Sequence, residues 1–230
     1  MPDSAVPVLL VHGFASSFEL NWREPGWVDL LQDAGRTVVA VDLLGHGTAP
    51  KPHEPEAYAQ LDDRIVDVLP DEPVDAVAFS MGATTLLELA TRMPERFHRI
   101  VVGGVGDSVV RDGGPGSDEM ARALEAGEAE PGTTAALFVQ FSKGSGNDPL
   151  ALAACMRRVS PPITVEGLGR IACPVLVVIG DKDFANPADG LLAALPDARM
   201  VVLRNTEHFA TPRSFGFIDA ALGFLGAVPA

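Results

Sequence analysis

Three observations predict an α/β fold built on a mostly parallel sheet. Apolar runs of strand length recur along the chain, helical patterns lie between them, and the 230 residues suffice for one domain, 1–230, with a sizeable core. Runs without polar alternation suit parallel strands buried on both faces. The first run spans residues 6–11, and VDLLQDAG after Trp27 then reads as a helix closed by Gly35. A second run, 37–41, precedes a helical pattern over 55–69 with Leu61, Ile65, Val68 and Leu69 on one face. The third run, 74–79, passes straight into a helix over 83–93 that stops near Pro94. Runs at 100–105, 174–179 and 200–203 follow, and Phe215, Ile218, Ala221, Leu222 and Leu225 mark a closing helix. A βαβ alternation of this kind implies parallel neighbours joined by right-handed crossovers.

One interval, residues 107–170, breaks the rhythm. It has no good strand, and weak helical stretches at 118–126, 133–141 and 149–159 are separated by Gly and Pro. An insertion between two strands reads as a small helical lid over the carboxyl ends of the sheet.

Composition excludes several classes. A formal charge of −14 repels polyanions, so neither nucleic acid nor an anionic membrane is an expected partner. The longest apolar runs fall short of a membrane span. Residues 1–4 show no basic n-region and no small-residue cleavage site, and Cys155 and Cys173 read as buried thiols. A cytoplasmic location is the expectation. There is no P-loop, Gly103-Gly104-Val105-Gly106 lacks the third glycine of a dinucleotide fingerprint, and neither HExxH nor paired CxxC motifs supply metal ligands. No cofactor is called for.

The chemistry lies where the strands end. Ala78-Phe79-Ser80-Met81-Gly82 places a serine at a strand-to-helix turn between small residues, as a tight turn exposing a nucleophile requires. The first strand ends in His12-Gly13-Phe14, the fifth in Gly180-Asp181-Lys182-Asp183, and Glu207-His208-Phe209 follows the sixth. Serine, aspartate and histidine thus follow different strands in the order of one known catalytic arrangement. A serine hydroxyl is weakly nucleophilic until a base takes its proton, and His208 is the candidate base for Ser80. Asp183, Asp181 and Asp107 are the carboxylates available to orient it.

These motifs together resemble the α/β-hydrolase superfamily, close to its small serine esterases and its lactone and C–C bond hydrolases. HGFASS, DLLGHG, AFSMGA, PVLVVIGDKD and NTEHF carry the resemblance, which covers nearly all of the chain outside the lid. Ala78 departs from the family's usual glycine. Full-length relatives also begin with two further strands, so the resemblance implies about six parallel strands in the order 2-1-3-4-5-6, with 37–41 as a short edge strand. It implies Ser80 as nucleophile, His208 as base and Asp183 as acid, Asp107 being an alternative location in relatives. It places the oxyanion donors at the backbone N–H groups of Phe14 and Met81. His12 and His46 read as loop architecture, His53 and His98 as surface residues. The expected reaction is hydrolysis of a small or medium acyl ester, a small-molecule substrate. Phe138, Phe141, Met156, Phe184 and Phe209 are the candidate pocket residues. Enol-lactone, C–C bond or thioester hydrolysis are alternatives on the same scaffold, and a non-catalytic binding protein is another. Oligomeric state is not legible.

Overall fold

The computed structural model describes residues 6–110, 117–160 and 162–229. Residues 1–4, read above for a secretory signal, lie outside the described residues, as do 111–116 and 161 of the predicted lid interval.

One sheet organises the chain. Its strands are β1 (Val8–Val11), β2 (Val38–Val41), β3 (Val74–Phe79), β4 (Phe97–Gly103), β5 (Val175–Gly180) and β6 (Ala198–Leu203). All neighbours pair parallel, in the order β2-β1-β3-β4-β5-β6. The sheet is thus the six-stranded one expected. Every residue of β1, β3 and β5 is buried, which is why those segments lack polar alternation. Alternate side chains go to opposite layers. Leu9 and Val11 join Leu86, Leu87 and Leu191 on one face, whereas Val8 and Leu10 join Trp27, Leu31 and Phe217 on the other. The first face is covered by α3 (Met81–Arg92) and the second by α1 (Trp27–Asp33) and α9 (Phe215–Leu225). Edge strand β2 is only four residues long, which limits the row of unpaired backbone groups that an edge presents.

The amino-terminal end of the sheet is closed by a buried ion cluster. Arg36 donates through Nε to the Val6 carbonyl at 2.7 Å, through Nη1 to the Leu225 carbonyl at 3.1 Å, and through Nη2 to the Asp75 carboxylate. His98 Nδ1 lies 2.9 Å from the same carboxylate. One guanidinium therefore ties the start of β1, the end of α9 and β3 together. Both Arg36 and Asp75 are fully buried, and such charges are tolerated only as pairs.

One predicted element changes. The 55–69 segment is not one helix. A 3-10 turn, Pro55–Tyr58, is followed by further turns and by the four-residue α2, Asp63–Val66. Tertiary anchors cut it: the Tyr58 hydroxyl donates to the Pro52 carbonyl at 2.7 Å, and Asp62 pairs with Arg92 of α3. A short helix has little intrinsic stability to oppose them. His98, expected as a plain surface residue, is half-exposed but bonded to buried Asp75. The 107–170 interval holds α4 (Ser117–Ala126), α5 (Thr134–Ser145), α6 (Pro149–Met156) and α7 (Val165–Leu168). Thr133, Asp148 and Thr164 cap the last three, each side chain accepting a backbone N–H of the first turn. A π-helical turn, Glu19–Arg23, and the short α8, Asp189–Ala194, were not legible in the sequence.

Asp75→Ala leaves Arg36 buried without its counter-ion. Loss of about 3–5 kcal/mol of stability is expected, read as a lower urea midpoint with an unchanged slope. A loss below about 1 kcal/mol would show that the cluster does not hold this end of the sheet.

Candidate active site

The turn after β3 is forced into a sparsely populated backbone conformation. Ser80 has φ 52° and ψ −120°, and positive φ is costly for any residue bearing a Cβ. Its neighbours hold it there. Ser80 N–H donates to the Gly103 carbonyl at 2.8 Å, and its own carbonyl accepts Thr84 N–H at 3.0 Å, the first bond of α3. Helix and strand meet so closely that a Cβ on Gly82 would overlap the His12 carbonyl oxygen and lie 2.8 Å from that of Val11. Only glycine fits. Ala78, by contrast, is fully buried as it stands.

The serine side chain meets a base. Ser80 Oγ lies 2.8 Å from His208 Nε2, and His208 Nδ1 lies 2.8 and 3.0 Å from the two Asp183 oxygens. An ionised carboxylate can only accept, so Nδ1 carries the proton and Nε2 is left to accept from the serine hydroxyl. Asp183 Oδ1 also accepts Ala185 N–H at 2.8 Å, which fixes the carboxylate. Aromatic rings hold the imidazole in place, with Phe79 at 4.9 Å, Phe184 at 4.2 Å and Phe209 at 5.4 Å between centroids. His208 is buried although Phe184, stacked over it, is half-exposed.

The other two carboxylates are engaged elsewhere. Asp107 Oδ1 accepts Leu191 N–H at 3.0 Å at the start of α8, and Asp181 Oδ1 accepts Thr206 N–H at 3.3 Å. Of the three aspartates, Asp183, the one the resemblance implies, is the one that meets His208.

A polar network shapes the loop after β1. Gly13 N–H donates to Asn21 Oδ1 at 2.8 Å, and Leu43 N–H donates to His12 Nε2 at 3.0 Å. Asp42 accepts Phe18 N–H and Thr48 N–H, each at 2.8 Å. Burial would raise the Asp42 carboxyl, but those two donors, His12 and the Thr48 hydroxyl together hold it below the usual range. Asn147 bridges the loops to the α5–α6 junction, accepting Gly47 N–H and donating to the Ser16 carbonyl. His12 and His46 are both fully buried here. Burial depresses both, His46 to about 3, with the charges of His12 and Arg158 acting in the same direction on His46. Both imidazoles are thereby held toward the neutral form. His53, on the surface, faces Asp148 at 2.7 Å.

Ser80 and His208 open on a cavity of about 420 Å³. Phe14, Met81, Phe138, Met156 and Phe184 line it, together with Arg158. Met81 opens α3, where the first N–H groups have no intrahelical acceptor. Phe141 and Phe209 do not line this cavity. They stack on each other at 5.1 Å and face a separate hollow of about 480 Å³ beside Leu20 and Leu137. Phe138 lies between, 5.6 Å from Phe14 and 5.1 Å from Phe209. Sequence reasoning missed Arg158, since an arginine after a short helix carries no motif. Cys155 and Cys173 are free, and burial pushes both thiols up to about 11, which leaves them inert. No group of residues suited to a metal ion occurs among the described residues, nor is any described helix long and apolar enough to cross a membrane.

The family model described as "Alpha/beta hydrolase family" matches residues 8–220. A thermostable monoacylglycerol lipase of Bacillus sp. (strain H-257) is 27% identical over 226 residues, 91% of this chain and 85% of that protein. A pimeloyl-[acyl-carrier protein] methyl ester esterase of Neisseria meningitidis is 25% identical over 236 residues, 90% of this chain and 72% of its own length. Among solved structures, the enol-lactonase from Burkholderia xenovorans LB400 superposes with a TM-score of 0.75 at 22% identity, covering 96% and 92% of the two chains.

The buried histidines predict a pH dependence. An unfolded-chain histidine takes up a proton near 6.5 and folded His46 only near 3, so below about 6.5 the unfolded state binds more protons. Stability from this group is complete above that pH and is lost as pH falls toward the folded value. The urea midpoint should drop between pH 7 and pH 5, and His46→Asn, which keeps a donor but removes the titration, should drop less. Equal slopes for the two proteins would contradict the assignment.

Proposed function

The chain belongs to the alpha/beta hydrolase family, and from that premise we propose that it is a serine hydrolase cleaving small or medium carboxylic esters by acyl transfer. One observation carries the reading: an unbroken hydrogen-bonded path runs from Ser80 through His208 to Asp183 and opens on a cavity of ligand size. The names of the two curated relatives, a lipase and a methyl ester esterase, support ester cleavage.

The steps follow from the geometry. Ser80 Oγ attacks the ester carbonyl as His208 Nε2 takes its proton. The tetrahedral oxyanion is met by the Phe14 and Met81 N–H groups. His208 returns the proton to the departing alcohol oxygen and leaves an acyl group on Ser80. Water, deprotonated by the same histidine, then releases the carboxylic acid. Throughout, Asp183 keeps the proton on Nδ1 and stabilises the imidazolium. The chemistry needs no cofactor.

Hydrolysis of p-nitrophenyl butyrate tests the reading. Wild type should turn the ester over and Ser80→Ala should not, while keeping the same unfolding midpoint. Asp183→Asn should lose about 10⁴ in kcat through the wrong tautomer, and Asp107→Asn far less. Equal losses for the two aspartates, or activity retained in Ser80→Ala, would refute it.

A further inference from the structure

We propose that Arg158 binds a carboxylate on the substrate, so that the preferred ester has a short acyl chain ending in an acid group. The proposal rests on the esterase reading and adds the class of acyl group. Arg158 is the one arginine lining the Ser80 cavity, and no lysine, aspartate or glutamate accompanies it among the described residues. The remaining walls are mostly apolar.

Its donors are held in place but not used up. Nη1 donates to the Cys155 carbonyl at 2.8 Å, which anchors the guanidinium at the end of α6. Cys155 Sγ in turn lies 3.9 Å from Met81 Sδ, on the residue that follows the nucleophile. Nε is buried without a hydrogen-bond partner, and among the described residues no carboxylate reaches the guanidinium. Its sequence neighbour Arg157 behaves otherwise, turning outward to pair with Asp118 and Glu125. In a chain with 31 acidic against 17 basic residues, an arginine that lines a cavity with no carboxylate beside it among the described residues favours an anionic ligand group there. The charge is felt nearby: it acts to lower both His46 and Glu88.

The chemistry selects a carboxylate. A planar guanidinium presents its donors as a fork that matches two carboxylate oxygens, and an unpaired buried N–H costs free energy until an acceptor arrives. A phosphate dianion would need more donors than one guanidinium in an apolar cavity supplies. The acyl chain would lie along Phe138 and Met156, with its acid on Arg158 and its ester carbonyl at Ser80.

The test is a ratio. At pH 7.5, kcat/KM is measured for monomethyl glutarate and monomethyl adipate, and for methyl pentanoate as the neutral partner. Wild type should favour the half-esters at least about tenfold, and Arg158→Met should bring that ratio to about one. Arg158→Lys, which keeps charge without the fork, should fall between. A merely structural arginine would lower all three esters together and leave the ratio alone. Turnover without preference for the half-esters, or a ratio unmoved by Arg158→Met, overturns the proposal and leaves the esterase reading intact. If no ester is cleaved, the esterase reading has failed, and glutarate then decides the Arg158 site alone. A rise in Tm with glutarate in wild type but not in Arg158→Met supports it, and no rise overturns it.

Discussion

The close approach of α3 to β1 is the constraint from which the rest of the site follows. Gly82 rests against the carbonyls that end β1, and the turn before it can close only with Ser80 at positive φ. Such a conformation costs on the order of 1–3 kcal/mol, so it persists only where its surroundings leave no alternative. Here the central strand β3, hydrogen-bonded on both sides, and the buried face of α3 leave none. The outcome is a hydroxyl thrust out of the turn toward the loops at the carboxyl ends of the strands. A residue able to relax this backbone would also be unable to present the side chain.

Around that point the site is assembled from parts that sheet topology brings together. The loop after β5 supplies a carboxylate and the loop after β6 an imidazole, because adjacent parallel strands end side by side. Gly180 allows the closeness, since a Cβ there would collide with the Thr206 carbonyl. Phe79 and Phe184 then sandwich the ring, and neutral His12 with Asp42 and Asn21 fixes the loop bearing Phe14. The buried polar groups here are almost all satisfied, and the exceptions are informative. Ser16 Oγ, Trp22 Nε1, His46 Nε2 and Arg158 Nε lack partners, and the last two lie on the side where the 107–170 helices meet the sheet.

Much of this was legible because it depends on local chemistry. Uninterrupted apolar runs revealed all six strands, and small residues around Ser80 revealed the turn. The order of strand ends brought Ser80 and His208 together. What was not legible depends on contacts far apart in sequence. Residue types alone leave Asp107 and Asp181 beside Asp183; the GDKD match favours Asp183, and the return of the β5 and β6 loops to one place brings it to His208. The 55–69 helix was lost to an anchor on Arg92, 30 residues away. Phe141 and Phe209 resemble pocket residues by composition, but Phe138 stands between them and Ser80, and its placement is a matter of packing. Arg158 carried no pattern at all, and its interest comes wholly from what surrounds it.

The central claim is that Ser80 is a nucleophile activated by its setting. Active-site-directed labelling tests it most directly: the folded protein is incubated with a fluorophosphonate, and the modified peptide is mapped by mass spectrometry. One phosphonyl group per chain is expected, on Ser80, and none in protein unfolded by urea, where the serine has lost His208. Labelling at another residue, or no labelling of the folded protein, would contradict it.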